Sequence, residues 1–292
     1  MAKAAKIKTY NANGYILNLK VISTERQGEQ ILNDLFKEIH RRKIVVKVSS
    51  DREIAIRTCV PRIDGRVTTI SGNFVSAINL QGMNWLNQDN LEIVETPQVA
   101  ANLKAGSRDV QYILVQKAHR VFIESKLISN VGHLQIVKFL QIALKQVLRP
   151  DENIEIFVEK DNEAIIEIME ASKIEWLTIK ISRSNNDTND ESKQQVEDFM
   201  DAIGAREFDT KYVAKDKEIG LDISQSPIVR GSLELASSNG YAEARIKDGN
   251  RSRKLKTNQY EKKYIVEYTQ DKVKSVIDFV MSKFRNNTPP TT

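Results

Sequence analysis

The chain has 292 residues, 40% hydrophobic and 28% charged, a balance that excludes a collagen-like or disordered chain and suffices for a buried core without staples. The net charge of +5 is unevenly spread: residues 1–66 hold 14 Lys+Arg against 7 Asp+Glu, residues 67–240 hold 18 against 26, and residues 241–292 hold 12 against 6. Basic ends around an acidic middle suit a binder of nucleic acid, because cations must be concentrated to neutralise adjacent phosphates; the plainer alternative is an uneven solvated surface.

Residues 14–22 alternate as a strand, and Ile31, Leu32, Leu35, Phe36 and Ile39 recur at helical spacing after Glu29. Residues 44–48 and 54–60 read as strands around Ser49-Ser50-Asp51, and Asp64-Gly65 turns the chain into a strand at 66–71. Trp85 and a strand at 91–94 close a first unit, and residues 95–107, with Pro97, Gly106 and little periodicity, mark a boundary. Two β-rich runs at 110–115 and 120–126 follow, then a helix between Asn130 and Pro150 that is apolar on most sides and expected at the centre of the core.

A strand at 154–158, a helix at 163–171 and a strand at 174–181 lead into a polar linker at 182–191. The next helix carries Val196, Phe199, Met200 and Ile203 and is capped by Gly204. Ser226-Pro227 starts another, and residues 241–247 and 252–256 form a hairpin about Asp248-Gly249. Val273, Val276, Ile277, Val280, Met281 and Phe284 define an amphipathic last helix before a tail at 286–292. The expectation is a mixed α/β (α+β) fold of two units, 1–100 and 107–285, each a strand-rich sheet with packed helices.

Chemistry is harder to find. There is no Walker-type loop, no Gly-x-Gly-x-x-Gly before a helix and no Gly-x-Ser-x-Gly, so no nucleotide or other cofactor is expected. The single cysteine, Cys59, lies in an apolar strand and reads as a buried structural thiol, as in a cytoplasmic protein. His40, His119 and His133 are far apart and spell out no metal or catalytic cluster. No apolar run approaches ~18 residues, and the basic N-terminus lacks a following apolar stretch, so no membrane contact is expected.

One catalytic alternative remains: Glu124 and Lys126 share a sheet face and, with Asp109 on a neighbouring strand, could hold the metal of a nuclease. The stronger signal is basic. Arg245, Lys247, Arg251, Arg253, Lys254 and Lys256 cluster on the hairpin, followed by Lys262 and Lys263, and Arg41, Arg42 and Lys43 follow the first helix. A β-ribbon of this kind can track phosphates, whereas an ordinary charged edge would also carry lysines, and a helix C-terminus favours cations without any partner.

Several stretches resemble a bacterial family known only as a domain of unknown function (four-seven-four-seven). They are residues 14–39, His119-Arg120-Val121-Phe122-Ile123-Glu124-Ser125-Lys126, residues 177–184, and Ser238-Asn239-Gly240-Tyr241 leading through Asp248-Gly249 to Thr257. In outline the chain is also similar to the RexA proteins of phage exclusion. That likeness implies a cytoplasmic, dimeric protein that binds double-stranded DNA without sequence preference in anti-phage defence. The expected partners are double-stranded DNA, a second defence-system protein and a second copy of the chain, for which the last helix is the candidate seam; the alternative is that its apolar face packs on its own sheet. The alternatives are a nuclease effector and a non-catalytic interaction subunit.

Overall fold

The computed structural model describes residues 8–23, 26, 30–64, 67–80, 84–94, 102–125, 131–182, 191–249, 251–259 and 261–284, and among these six α-helices and fourteen strands form a mixed α+β fold. β1 (Tyr10–Ile22) and α1 (Ile31–Arg41) come first. Then follow β2 (Val45–Lys47), β3 (Arg52–Asp64), β4 (Val67–Ile78), the short pair β5 (Trp85–Leu86) and β6 (Ile93–Val94), and β7 (Ala105–Val115) with β8 (Arg120–Glu124). α2 (His133–Lys145), β9 (Asn153–Val158) and α3 (Glu163–Glu170) lead to β10 (Ile174–Ser182), α4 (Glu191–Ala202) and β11 (Glu207–Val213). After α5 (Pro227–Asn239), β12 (Gly240–Asp248) and β13 (Arg251–Lys256), the chain returns through β14 (Lys263–Tyr268) to α6 (Lys272–Phe284).

The larger sheet has the order β14-β1-β8-β7-β4-β3-β2, with β9 beside β1. One edge of β1 pairs with β8; the other is shared end to end by β14, opposite residues 10–15, and β9, opposite residues 17–22. Both faces of this sheet are covered. Leu17, Leu19, Ile54, Phe74, Tyr112 and Val121 point to α1 and α2, where Phe74 packs on Tyr112 and Phe139 at centroid distances of 4.5 and 5.7 Å. Ala12, Ile16, Ile113, Val115 and Phe122 point the other way, to Val276, Ile277 and Val280 of α6. Each of the larger aliphatic and phenylalanine side chains contributes roughly 1.5–3 kcal/mol by leaving water, which is why the period-2 pattern fixes the register.

The smaller sheet, β11-β10-β12-β13, is antiparallel throughout. Leu177, Ile179, Ile181, Ala242, Ala244, Ile246 and Leu255 face Ile165, Ile168, Val196, Met200, Leu233 and Ala236 of α3, α4 and α5. Its opposite face takes part in none of the three hydrophobic clusters and, apart from the buried Ser182, is half-buried to exposed among the described residues.

Three differences from the sequence expectations have physical causes. β4 pairs with β7 from Thr69↔Val115 to Ile78↔Ala105, so one sheet crosses residues 95–107, where a division was expected; the separately packed layer is the four-stranded sheet. β11 and β14 were not expected as strands, because each is a short edge strand whose few apolar residues are broken up by charges. α2 is less central than its composition suggests: Ile136, Phe139, Leu140, Ala143 and Leu144 are buried, but Leu134 and Ile142 face outward. Gly204 takes the left-handed conformation expected of a helix cap, at φ 64°. The linker at 183–190 and the tail at 286–292 lie outside the described residues.

A candidate nucleic-acid interface

Alternation along β12 and β13 sorts the basic hairpin into two faces. Ala242, Ala244, Ile246 and Leu255 turn to the helices, so Tyr241, Glu243, Arg245 and Lys247 of β12 and Lys254 and Lys256 of β13 turn outward. The register extends these into rows across the sheet. One row runs Val213, Trp176, Arg245, Lys254; the next runs Lys211, Thr178, Glu243, Lys256; a third holds Asp209, Lys180 and Tyr241. The Lys254 ammonium sits 5.3 Å from the centroid of the Trp176 ring. With Glu207 included, this outer face carries Lys180, Lys211, Arg245, Lys247, Lys254 and Lys256 against three carboxylates.

Several of these cations already hold an acid. Lys254 and Lys256 share Glu243 at 2.8 and 3.0 Å, which lowers the Glu243 carboxyl through the bond from Lys254 first and raises the Lys256 ammonium. Lys180 reaches Glu207 at 3.3 Å, and Lys247 reaches Glu218 at 3.3 Å, a carboxylate it shares with Lys173. Such exposed pairs are worth little, so a phosphate can displace the acid at small cost. Arg245, Lys211 and Arg251 have no carboxylate within 4.0 Å among the described residues. Arg251 and Arg253 lie apart from the outer face: both belong to the inward-facing register of β13, and Arg253 pairs with Glu167 of α3.

The remaining candidate cations do not join the hairpin. Lys262 and Lys263 lie at and just before β14, in the larger sheet; Lys262 holds Asp161 at 3.4 Å and Lys263 is exposed. Arg41 and Arg42 end α1 and both clasp Glu38, pulling its carboxyl down to about 2, while Lys43 takes a left-handed φ of 52° in the turn beyond. They therefore satisfy the helix terminus, and the expected cations fall into three sets.

The carboxylates of the nuclease alternative sit on one face but are not free to converge. Glu124 binds Lys272 of α6 at 3.0 Å, and Asp109 is clasped by Arg57 of β3 at 2.9 Å. Lys126 lies outside the described residues, and among those described no group of three His, Cys, Asp or Glu is placed to hold a metal ion. Cys59 is half-buried and burial pushes its thiol up, away from the thiolate that a nucleophile needs.

One cluster was not anticipated. Arg120 is 2% exposed and donates to Glu159 at 2.9 Å, to Asn18 at 2.7 Å and to the Ala118 carbonyl at 3.0 Å. Asn18 in turn donates to Asn239 at the end of α5 at 2.6 Å, and the adjacent Lys160 donates to the Gly240 carbonyl. His133 stacks on Tyr15 and bonds Glu261 nearby. The signal was in the sequence, as an arginine beginning the apolar run Arg120–Ile123 and an asparagine inside Ile16–Leu19. Its carbonyl and amide partners mark it as a strut between sheets.

Among described helices none is long and apolar enough to cross a membrane. No curated protein matches the chain, so the likeness in outline to RexA has no sequence match behind it. A match to the domain of unknown function DUF4747 spans residues 10–283, nearly the whole of both sheets and all six helices, and the chain belongs to that family.

Proposed function

We propose that this protein binds DNA without catalysis and without sequence preference, through phosphate contacts on the outer face of the four-stranded sheet, as part of anti-phage defence or prophage exclusion. The observation that carries the binding is a face that no described element covers, with six cations against three carboxylates. The defence role is drawn from the likeness to RexA. Double-stranded DNA, the form implied by the likeness to RexA, is the ligand for the first test. Binding measured over rising salt should weaken linearly on logarithmic axes, with a slope near −0.9 per phosphate engaged. Arg245→Ala and Lys211→Ala should each reduce that slope by about one, uniformly across sequences. No binding to any oligonucleotide at low salt would reject the reading.

A specific observation favours a second reading, the interaction subunit. Trp85, Leu86, Leu91, Ile93 and Val94 of the β5–β6 hairpin are all exposed, between 41% and 73%. An isolated two-stranded hairpin with this much apolar surface is stabilised by a cover, which a partner from the same defence system would supply. Leu86→Ser with Ile93→Ser should abolish retention of such a partner while leaving DNA binding intact.

A further inference from the structure

We infer that the outer face of the four-stranded sheet takes an unpaired polynucleotide strand in preference to a duplex, with Trp176 as a stacking platform. The inference rests on the nucleic-acid reading above and names the form of ligand that the face fits.

Two features of the face argue against a duplex. A two-stranded ribbon fills a major groove most fully where it projects free of its sheet. Here β12 is paired to β10 from Ile174↔Ile246 to Ile181↔Gly240, so little beyond Asp248-Gly249 stands clear. What remains is a platform four strands wide, about 15 Å at ~4.8 Å per strand, with both of its long rows lying in the plane of the sheet. A duplex cylinder would touch such a platform along a narrow line and engage few phosphates.

An unpaired strand can use the whole platform. Trp176 is flanked in its row by Arg245 and Lys254 on one side and Val213 on the other, and the next row offers Lys211 and Lys256. The indole is half-buried on the solvent side of the sheet, and the Lys254 ammonium occupies its face. A base replacing that ammonium gains stacking and frees Lys254 for the adjoining phosphate. Tyr241, opposite Lys180, supplies a second ring four residues along the strands, about 14 Å away at ~3.4 Å per residue. Thr178 is the neutral polar side chain in the middle row, so little on the face reads base edges, and stacking with phosphate contact gives sequence-tolerant binding.

The test uses the full chain with fluorescently labelled dT20, rU20 and a 20-base-pair duplex at low salt, read by anisotropy. The expected result is at least tenfold tighter binding of dT20 or rU20 than of the duplex, and the ratio of the two strands identifies the sugar preferred. Trp176→Ala should weaken strand binding about tenfold and duplex binding less than twofold, with its salt slope unchanged, and Trp176→Phe should restore most of the loss. Because Trp85 is the other tryptophan, Trp85→Phe leaves Trp176 as sole reporter, and its emission should be quenched by dT20 but not by the duplex. This covers the case in which Trp176→Ala fails to fold. Equal or tighter duplex binding, or unquenched Trp176 emission in a strand complex, overturns the inference while leaving the DNA-binding reading standing. Absence of binding to all three probes overturns both.

Discussion

Single residues in this molecule show how burial decides what a charge does. The Glu152 side chain is fully buried and accepts from Arg26 at 2.6 Å and from the Arg149 amide at 2.8 Å, so its carboxyl is held down at about 2, the Arg26 bond being the largest cause. A carboxyl lowered on folding stabilises the fold above its ordinary value near 4.5, and that contribution is lost as pH falls towards about 2. Glu152→Gln should therefore lower stability on the order of 2–3 kcal/mol at pH 7 and much less at pH 3, as urea midpoints will show. Lys160 is lowered too, but here folding disfavours the charged form instead of holding it. Burial lowers its ammonium to about 8, so the unfolded chain holds the proton more tightly between pH 8 and the ordinary value of 10.5, and stability rises with pH across that window. Relative to Lys160→Met, the natural protein should gain on the order of 2 kcal/mol between pH 7.5 and 10. Neither behaviour was legible in the sequence. Lys160 reads there as one more cation, and its acceptors at Ala236 and Gly240 lie 76 and 80 residues away.

Among the elements, those whose apolar pattern points one way were legible and those whose partners are distant were not. α1 has Ile31, Leu32, Leu35, Phe36 and Ile39 on one buried face, and its spacing alone places it. β11 and β14 carry no comparable pattern; β14 becomes a strand by pairing residues 10–15 of β1, some 250 positions earlier. The same dependence decides between the two roles open to α6. Its apolar residues invited a two-fold seam, but Val276, Ile277 and Val280 are at most 2% exposed against Ile16, Ile113 and Phe122 of the larger sheet. The seam expectation fails because a sheet face within the chain already covers the helix. Val280→Asp should accordingly unfold the protein or lower its melting temperature sharply, since an unpaired buried carboxylate costs several kcal/mol, rather than yield a folded monomer. Circular dichroism beside sedimentation distinguishes the two. Gly240 belongs at this scale too. Any Cβ there would strike the Lys180 carbonyl of the neighbouring strand, so Gly240→Ala should force β12 away from β10 and distort the row that holds Tyr241 and Lys180.

At the scale of the molecule, two sheets with separate hydrophobic clusters are joined by polar contacts. α5 packs beside β9, Asn18 of β1 bonds Asn239 at 2.6 Å, and Lys160 donates to the Gly240 carbonyl. Arg120 fixes Asn18 from behind while another of its bonds holds Glu159, the neighbour of Lys160, so one guanidinium orients both ends of the junction. Losing Arg120 would remove the buried guanidinium that Glu159 is bonded to, at a cost of several kcal/mol. Removing Asn239 is milder, since Asn18 keeps its bond from Arg120. The two substitutions should therefore separate stability from coupling. Asn239→Ala should lower the melting temperature a little yet split one calorimetric transition into two, the four-stranded sheet melting apart from the larger sheet, because hydrophobic clusters melt together only while the contacts between them cost more to break than either gains by opening. Arg120→Met should lower both transitions. A single sharp transition in Asn239→Ala, with its enthalpy unchanged, would show instead that the packing of α5 against β9 is sufficient to make the two sheets one cooperative body.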